Sequence, residues 1–300
     1  MTLARRRRLL VLCLPLGVAG LTGLSACAQS TSAEAPTTVA TTAPPTTEAP
    51  TTLPPTTEAP TTVPVTEAPT TVAAPGSTLP KNVEVVGPAA TALVAVGTQN
   101  GDETAKIQMR LTQLGFWSGN IADGLYGQAT MQAVMAFQKY LGLPASGRVD
   151  QATAAYLQSF TERAHGTADS GTLVEVDKAK QLLFIIVDGR TLWTFNTSTG
   201  SGIPYTAVNQ NDPTKIESGD AVTPNGLWEV TRQREEGWWE GDLGKIYRPK
   251  YFHGGVAIHG MTNVPNYPAS HGCVRVSVPA MDFIWATNLV PIGTPVWVHE

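Results

Sequence analysis

The sequence predicts a multidomain chain: a small all-α unit of three helices, then a β-rich domain, mainly β with one helix. Three observations predict it. Apolar residues recur at helical spacing between residues 99 and 162, and the period becomes that of strands from Leu173 onward. The first eighty or so residues carry too few large apolar side chains to fold, which leaves about 220 for two modest domains.

Residues 1–26 read as an export signal. Arg5 to Arg8 form a basic start, Leu9 to Leu24 an apolar core, and small residues precede Cys27. The run ending in Leu24-Ser25-Ala26-Cys27 resembles the lipobox of bacterial lipoproteins, which implies lipidation of Cys27 and attachment to a membrane. Residues 27–98 are then a tether. Thr-Thr-Glu-Ala-Pro-Thr-Thr begins at Thr46 and again at Thr56, with a shortened copy at Thr66, a composition that favours polyproline II. At about 3.1 Å per residue its low-complexity part reaches on the order of 160 Å.

In the helical unit, Asp102 is the expected N-cap, Ile107, Leu111 and Leu114 share one face, and Gly115 follows as a C-terminal stop. Asp123-Gly124-Leu125-Tyr126-Gly127 is a turn. Val134, Phe137 and Leu141 repeat the pattern before Gly142, and Asp150 opens a shorter helix carrying Ala154 and Leu157.

The β-rich domain occupies residues 172–300. Strands are expected at 173–177, at the continuous apolar run 182–187, and at 191–197 after the hairpin signal Asp188-Gly189. More follow at 227–231, 256–259, 273–276 and 295–299. Ser277 caps the one helix, with Pro279 in its first turn and Met281, Ile284 and Trp285 on its buried face. The result is a sandwich or barrel. His165 and His253 have no motif around them and are expected at the surface. The stretch 232–252, with Gly237-Trp238-Trp239, Gly241 and Gly244, reads as a mobile lid.

Charge narrows the function. With 20 Lys and Arg against 24 Asp and Glu the chain carries −4; without Arg5 to Arg8 the net is −8. An acidic mature chain without basic blocks argues against a nucleic-acid partner. The chemistry concentrates in Ser270-His271-Gly272-Cys273-Val274-Arg275 and in His259-Gly260, with His259 fourteen residues before Cys273. A thiol with an imidazole in reach is a candidate nucleophile and base. Glycines beside it let backbone N–H groups converge, so the amides of Gly272 and Cys273 are the expected oxyanion donors. The spacing of His253, His259, His271 and Cys273 matches no zinc signature, and neither metal nor other cofactor is expected.

These residues resemble the signature of the L,D-transpeptidase (YkuD-type) catalytic domain, and Thr223-Pro224-Asn225-Gly226 is similar to that family's Thr-Pro-x-Gly turn. Leu114-Gly115-Phe116, the Asp123 turn and Ala133-Val134 with Phe137-Gln138 resemble a peptidoglycan-binding helical module. The resemblance implies that His259 activates Cys273, that the Gly260 carbonyl orients the ring, and that Ser270, His271 and Arg275 face substrate or hold the loop. It implies peptidoglycan stem peptides and glycan as partners, 3→3 cross-linking through a thioester, acylation by carbapenem-type inhibitors, and a place in the cell envelope. An L,D-carboxypeptidase using the same thioester, and a non-catalytic wall-binding lipoprotein, are the competing readings.

Overall fold

The computed structural model describes residues 82–300; the signal segment, Cys27 and the repeats lie outside them. In chain order the elements are α1 (Asp102–Gln113), α2 (Gln128–Tyr140), α3 (Gln151–Ser159), β1 (Leu173–Asp177), β2 (Leu182–Val187) and β3 (Arg190–Asn196). Then come β4 (Tyr205–Val208), β5 (Ile216–Gly219), β6 (Gly226–Glu229), β7 (Arg232–Gln233), β8 (Trp238–Gly241) and β9 (Gly244–His253). The chain ends with β10 (Val256–Met261), β11 (Val274–Ser277), α4 (Val278–Ala286) and β12 (Pro295–His299).

One sheet has the order β3-β2-β1-β12-β6 and a second β11-β10-β9-β7, with β8 also paired to β9; β4 and β5 form a separate two-stranded sheet. Between the first two lies a core built from Val174, Val176, Leu183, Ile185, Val296 and Val298 of the first sheet and Ile258, Val274 and Val276 of the second. Met281 and Ile284 of α4 complete it. The domain is a sandwich, as its alternating inward residues require.

The helical unit is not free-standing. Ile107, Leu111, Phe116, Val134, Phe137 and Leu157 share one apolar cluster with Leu182, Phe184 and Ile186, which point out of the opposite face of β2. That is why β2 is apolar without interruption: one face belongs to the sandwich and the other to the helices. The chain leaving α1 also caps the free edge of β3. Thr194 N–H donates to Gly115 O at 2.8 Å and Trp117 N–H to Thr194 O at 3.3 Å, so the edge backbone is paired. Phe116 goes into the helical core, while Trp117 packs on Phe195 and Phe283 in the sandwich.

Several expectations shift. Gly101, not Asp102, precedes α1 as its cap; Asp102 and Glu103 lie in the first turn, where their charges favour the positive end of the helix dipole. Asp150 and Ser277 cap as expected, accepting from Thr153 N–H at 2.8 Å and Ala280 N–H at 3.3 Å. Residues 82–98, expected as the end of the tether, are pinned to the helices instead. Val86 N–H donates to Thr161 O, Gly97 N–H to Val149 O, and Val96 is buried. His165 is half-buried rather than on the surface, bridging Glu162 Oε1 at 2.9 Å and Gly166 O at 2.8 Å. His253 is exposed, its ring 4.0 Å from that of Trp228.

Burying each of Leu182, Phe184 and Ile186 is worth roughly 1.5–3 kcal/mol. A fragment of residues 172–300 is therefore expected to unfold at a much lower urea concentration than residues 82–300, or to aggregate; equal midpoints would refute a shared core.

Candidate active site

The second sheet places the reactive residues. β10 and β11 run parallel, with Ile258 opposite Val274, His259 opposite Arg275 and Gly260 opposite Val276. Side chains alternate along a strand, so Cys273, one residue before β11, shares a face with Arg275 and looks to the same side as His259. His259, Ser270, His271, Cys273 and Arg275 accordingly line one cavity of about 560 Å³.

His259 is buried, and its Nδ1 lies 2.9 Å from Gly260 O. A carbonyl can only accept, so Nδ1 carries the proton and Nε2 keeps its lone pair. Burial pulls the imidazole down to about 4, against a smaller upward pull from the Gly260 carbonyl; the Arg275 charge adds to the lowering. Burial likewise pushes the Cys273 thiol up, partly offset by the Ala257 N–H and Arg275. Both shifts favour the neutral thiol and the neutral imidazole over thiolate and imidazolium. Cys273 is a half-buried free thiol whose Sγ–H donates to Gly255 O at 3.8 Å.

The motif glycines serve packing and turn geometry. A Cβ on Gly260 would stand 2.8 Å from Tyr247 Cδ1 and 3.1 Å from Met281 Cβ, so only glycine fits between β9 and α4. Gly272 has φ +135° and sits 3.1 Å from Val222 O at the point where a Cβ would project. Its N–H corrects one expectation. It donates to Ser270 Oγ at 3.0 Å and is thus already committed, so Gly272 shapes the turn instead of offering an oxyanion donor. Ser270 Oγ in turn donates to Cys273 O at 2.5 Å, which makes Ser270 the brace of the nucleophile loop.

Arg275 Nη1 donates to Ala269 O at 3.2 Å, and its Nε is buried without a partner among the described residues. His271 is exposed toward the cavity with its ring 4.5 Å from that of Tyr205; burial and the Arg275 charge lower its pKa. The stretch expected as a lid is a β-ribbon. β8 pairs with β9 around the Asp242-Leu243 turn, whose Asp242 O accepts Gln210 N–H at 2.8 Å. Trp239 lines the cavity. Among the described residues no three His, Cys, Asp or Glu side chains converge.

Sequence reasoning missed the supports. Thr223 is buried and donates to Gly272 O at 2.7 Å while accepting Gly200 N–H at 2.9 Å, which gives the Thr-Pro-x-Gly turn a physical role. Residues 197–201 run beside the nucleophile loop. Ser198 and Arg275 exchange backbone bonds at 3.2 and 3.0 Å, and Thr197 Oγ1 donates to Arg275 O at 2.7 Å. Helix α2 holds the loop between β10 and Cys273: Gln132 Nε2 donates to Val264 O at 3.0 Å and Gln128 Nε2 to Thr262 O at 2.6 Å. A run of buried hydroxyls after an apolar strand, Thr197-Ser198-Thr199, was the available signal.

The L,D-transpeptidase catalytic domain (YkuD) family matches residues 171–298, and the putative peptidoglycan binding domain family matches residues 100–157. A solved L,D-transpeptidase from Xylanimonas cellulosilytica is 42% identical and superposes with a TM-score of 0.60, covering 71% of this chain and all of that one. The chain belongs to the L,D-transpeptidase family. Shorter likenesses join it to other proteins: a spore cortex-lytic enzyme of Bacillus cereus, 34% identical over 73 residues, and the N-acetylmuramoyl-L-alanine amidase CwlM of Mycobacterium tuberculosis, 38% over 66. These cover 24% and 22% of the chain, which spans 28% and 16% of the length of those proteins.

Two outcomes test the site. Thr223→Val keeps the shape but leaves Gly272 O and Gly200 N–H unpaired, so a loss of about 1–3 kcal/mol in denaturant unfolding is expected; unchanged stability would dismiss the brace. The rate of iodoacetamide alkylation of Cys273 should climb steadily with pH toward and beyond 9, because the thiol stays protonated below its raised pKa. A reactive plateau between about pH 5 and 7 would reveal an ion pair and overturn the neutral dyad.

Proposed function

We propose that the protein is a peptidoglycan L,D-transpeptidase that forms 3→3 cross-links through a Cys273 thioester. The observation that carries the reading is the pairing of a neutral His259, its Nδ1–H held by Gly260 O and its Nε2 free, with Cys273 at one cavity. In the proposed cycle Sγ attacks the carbonyl carbon of the third residue of a tetrapeptide stem while His259 Nε2 takes the thiol proton. The Cys273 N–H is the proposed oxyanion donor. Collapse breaks the amide, the proton passes from His259 to the departing amine of D-alanine, and the thioester remains. An amine of a second stem then attacks, gives its proton to His259, and releases the thiolate, which recovers that proton. Family membership and the 42% identity to a solved L,D-transpeptidase support the reading.

The helical unit is proposed to hold glycan or stem, and carbapenem-type inhibitors to acylate Cys273. Cleavage of residues 1–26 and lipidation of Cys27 would tether the chain to a membrane, with the repeats spanning into the wall of the cell envelope. Among the described residues no helix is long and apolar enough to cross a membrane.

The test incubates residues 81–300 with a disaccharide tetrapeptide, with and without D-methionine, and reads products by mass spectrometry, using Cys273→Ala as control. A cross-linked dimer or D-methionine exchange, absent from the control, is expected. Tripeptide alone would replace this reading by an L,D-carboxypeptidase, and no turnover with an unreactive Cys273 would favour a wall-binding lipoprotein.

A further inference from the structure

The cavity around Cys273 is cationic although the chain as a whole is acidic. Arg232, Arg234, Lys245 and Arg275 line it against two carboxylates, Glu217 and Asp242. Those carboxylates already accept from asparagines: Asn209 Nδ2 donates to Glu217 at 2.7 Å and Asn211 Nδ2 to Asp242 at 2.9 Å. Lys245 lies 3.8 Å from Glu240. Among the described residues no carboxylate comes within 4.0 Å of Arg232 or Arg234; the ion pairs are made by other cations.

Both guanidiniums are nonetheless held in place. The Arg232 carbon Cζ stacks 3.5 Å over the Tyr251 ring and its Nη2 donates to Gly254 O at 3.1 Å. Arg234 Cζ stacks 3.6 Å over Trp239. Stacking fixes the planar fork while leaving edge donors available beside the Arg232 bond to Gly254 O, and so lowers the ordering cost of gripping an anion. Arg234 follows β7 directly and its N–H donates to Pro249 O at 3.0 Å, so the pairing with β9 continues to it; two residues apart, the arginines share a side and stand about 7 Å apart along the backbone.

We propose that Arg232 and Arg234 form a carboxylate subsite, selecting peptides that carry a free carboxylate near the amide that Cys273 attacks. The ligand class is an anionic peptide, and the inference rests on the stem-peptide reading for the identity of that peptide. Each arginine offers a bidentate, charge-assisted contact to one carboxylate, a geometry that a lysine cannot copy. The surrounding positive field draws anionic peptide toward the thiol and weakens as salt rises.

The full-length chain carrying Cys273→Ala would be titrated by calorimetry with two synthetic tetrapeptides that differ only in having free or amidated carboxylates. The free peptide is expected to bind at least about tenfold more tightly, a preference that shrinks between low and high salt. Arg232→Gln and Arg234→Gln should each reduce that preference severalfold and together abolish it, leaving affinity for the amidated peptide within about twofold. Arg→Lys at either position should restore only part of it, and circular dichroism melts would establish that the variants fold. Equal affinity for the two peptides, equal loss of both in the variants, or no binding of either would overturn the subsite. Wild-type turnover of the same peptides separates the two readings. Preference without turnover keeps the subsite and removes the transpeptidase, whereas turnover without preference does the reverse.

Discussion

The site depends on a parallel pairing of two short strands. Because β10 and β11 run in the same direction with His259 level with Arg275, the candidate base His259 and the candidate nucleophile Cys273, fourteen residues apart, reach one face of one sheet. Parallel neighbours need a crossover, and here it is the loop of residues 262–273 that carries the cysteine. A loop that long holds position only if its backbone groups are paired from outside. Thr223, Ser198 and Thr197 supply partners from one side and Gln128 and Gln132 of α2 from the other. Both glycines of the motif follow from the same crowding, since neither Gly260 nor Gly272 has room for a side chain.

That dependence links the two halves of the described chain. The helical unit covers one face of β2, closes the edge of β3 and grips the crossover loop. Gln132 is buried between Val264 O and Asn196 Nδ2, at 3.0 and 2.6 Å, and a lost partner there would leave polar atoms without water. Lys139 of α2 likewise donates to Gln181 O and Thr197 O, and burial pulls its pKa down to about 7. The unit that resembles a wall-binding module is therefore also part of the scaffold of the catalytic domain.

Electrostatics divide the labour within the cavity. Burial lowers the pKa of His259 and raises that of Cys273, and both shifts favour the uncharged forms; in the proposed cycle proton transfer then accompanies attack instead of preceding it. The same cavity is lined by the exposed, ring-stacked Arg232 and Arg234. A neutral reactive pair in a cavity lined by arginines suits a substrate whose charge lies beside, not on, the bond that breaks.

Much of this was legible in the sequence. Helical spacing in Ile107, Leu111 and Leu114, the Asp188-Gly189 turn with φ of 51° and 77°, and the caps Asp150 and Ser277 are local signals, set by neighbours a few residues away. Cys273, His259 and Arg275 stood out because their chemistry is rare and their spacing specific. Tertiary structure decided the rest. Whether the Gly272 N–H faces a substrate or Ser270 Oγ, whether residues 82–98 hang free or pack, and whether 232–252 is a loop or a ribbon all turn on partners distant in the chain. The same holds for the charge state of the dyad. An imidazole and a thiol have ordinary pKa values in a peptide, and only the packing that excludes water from them shifts both toward neutrality.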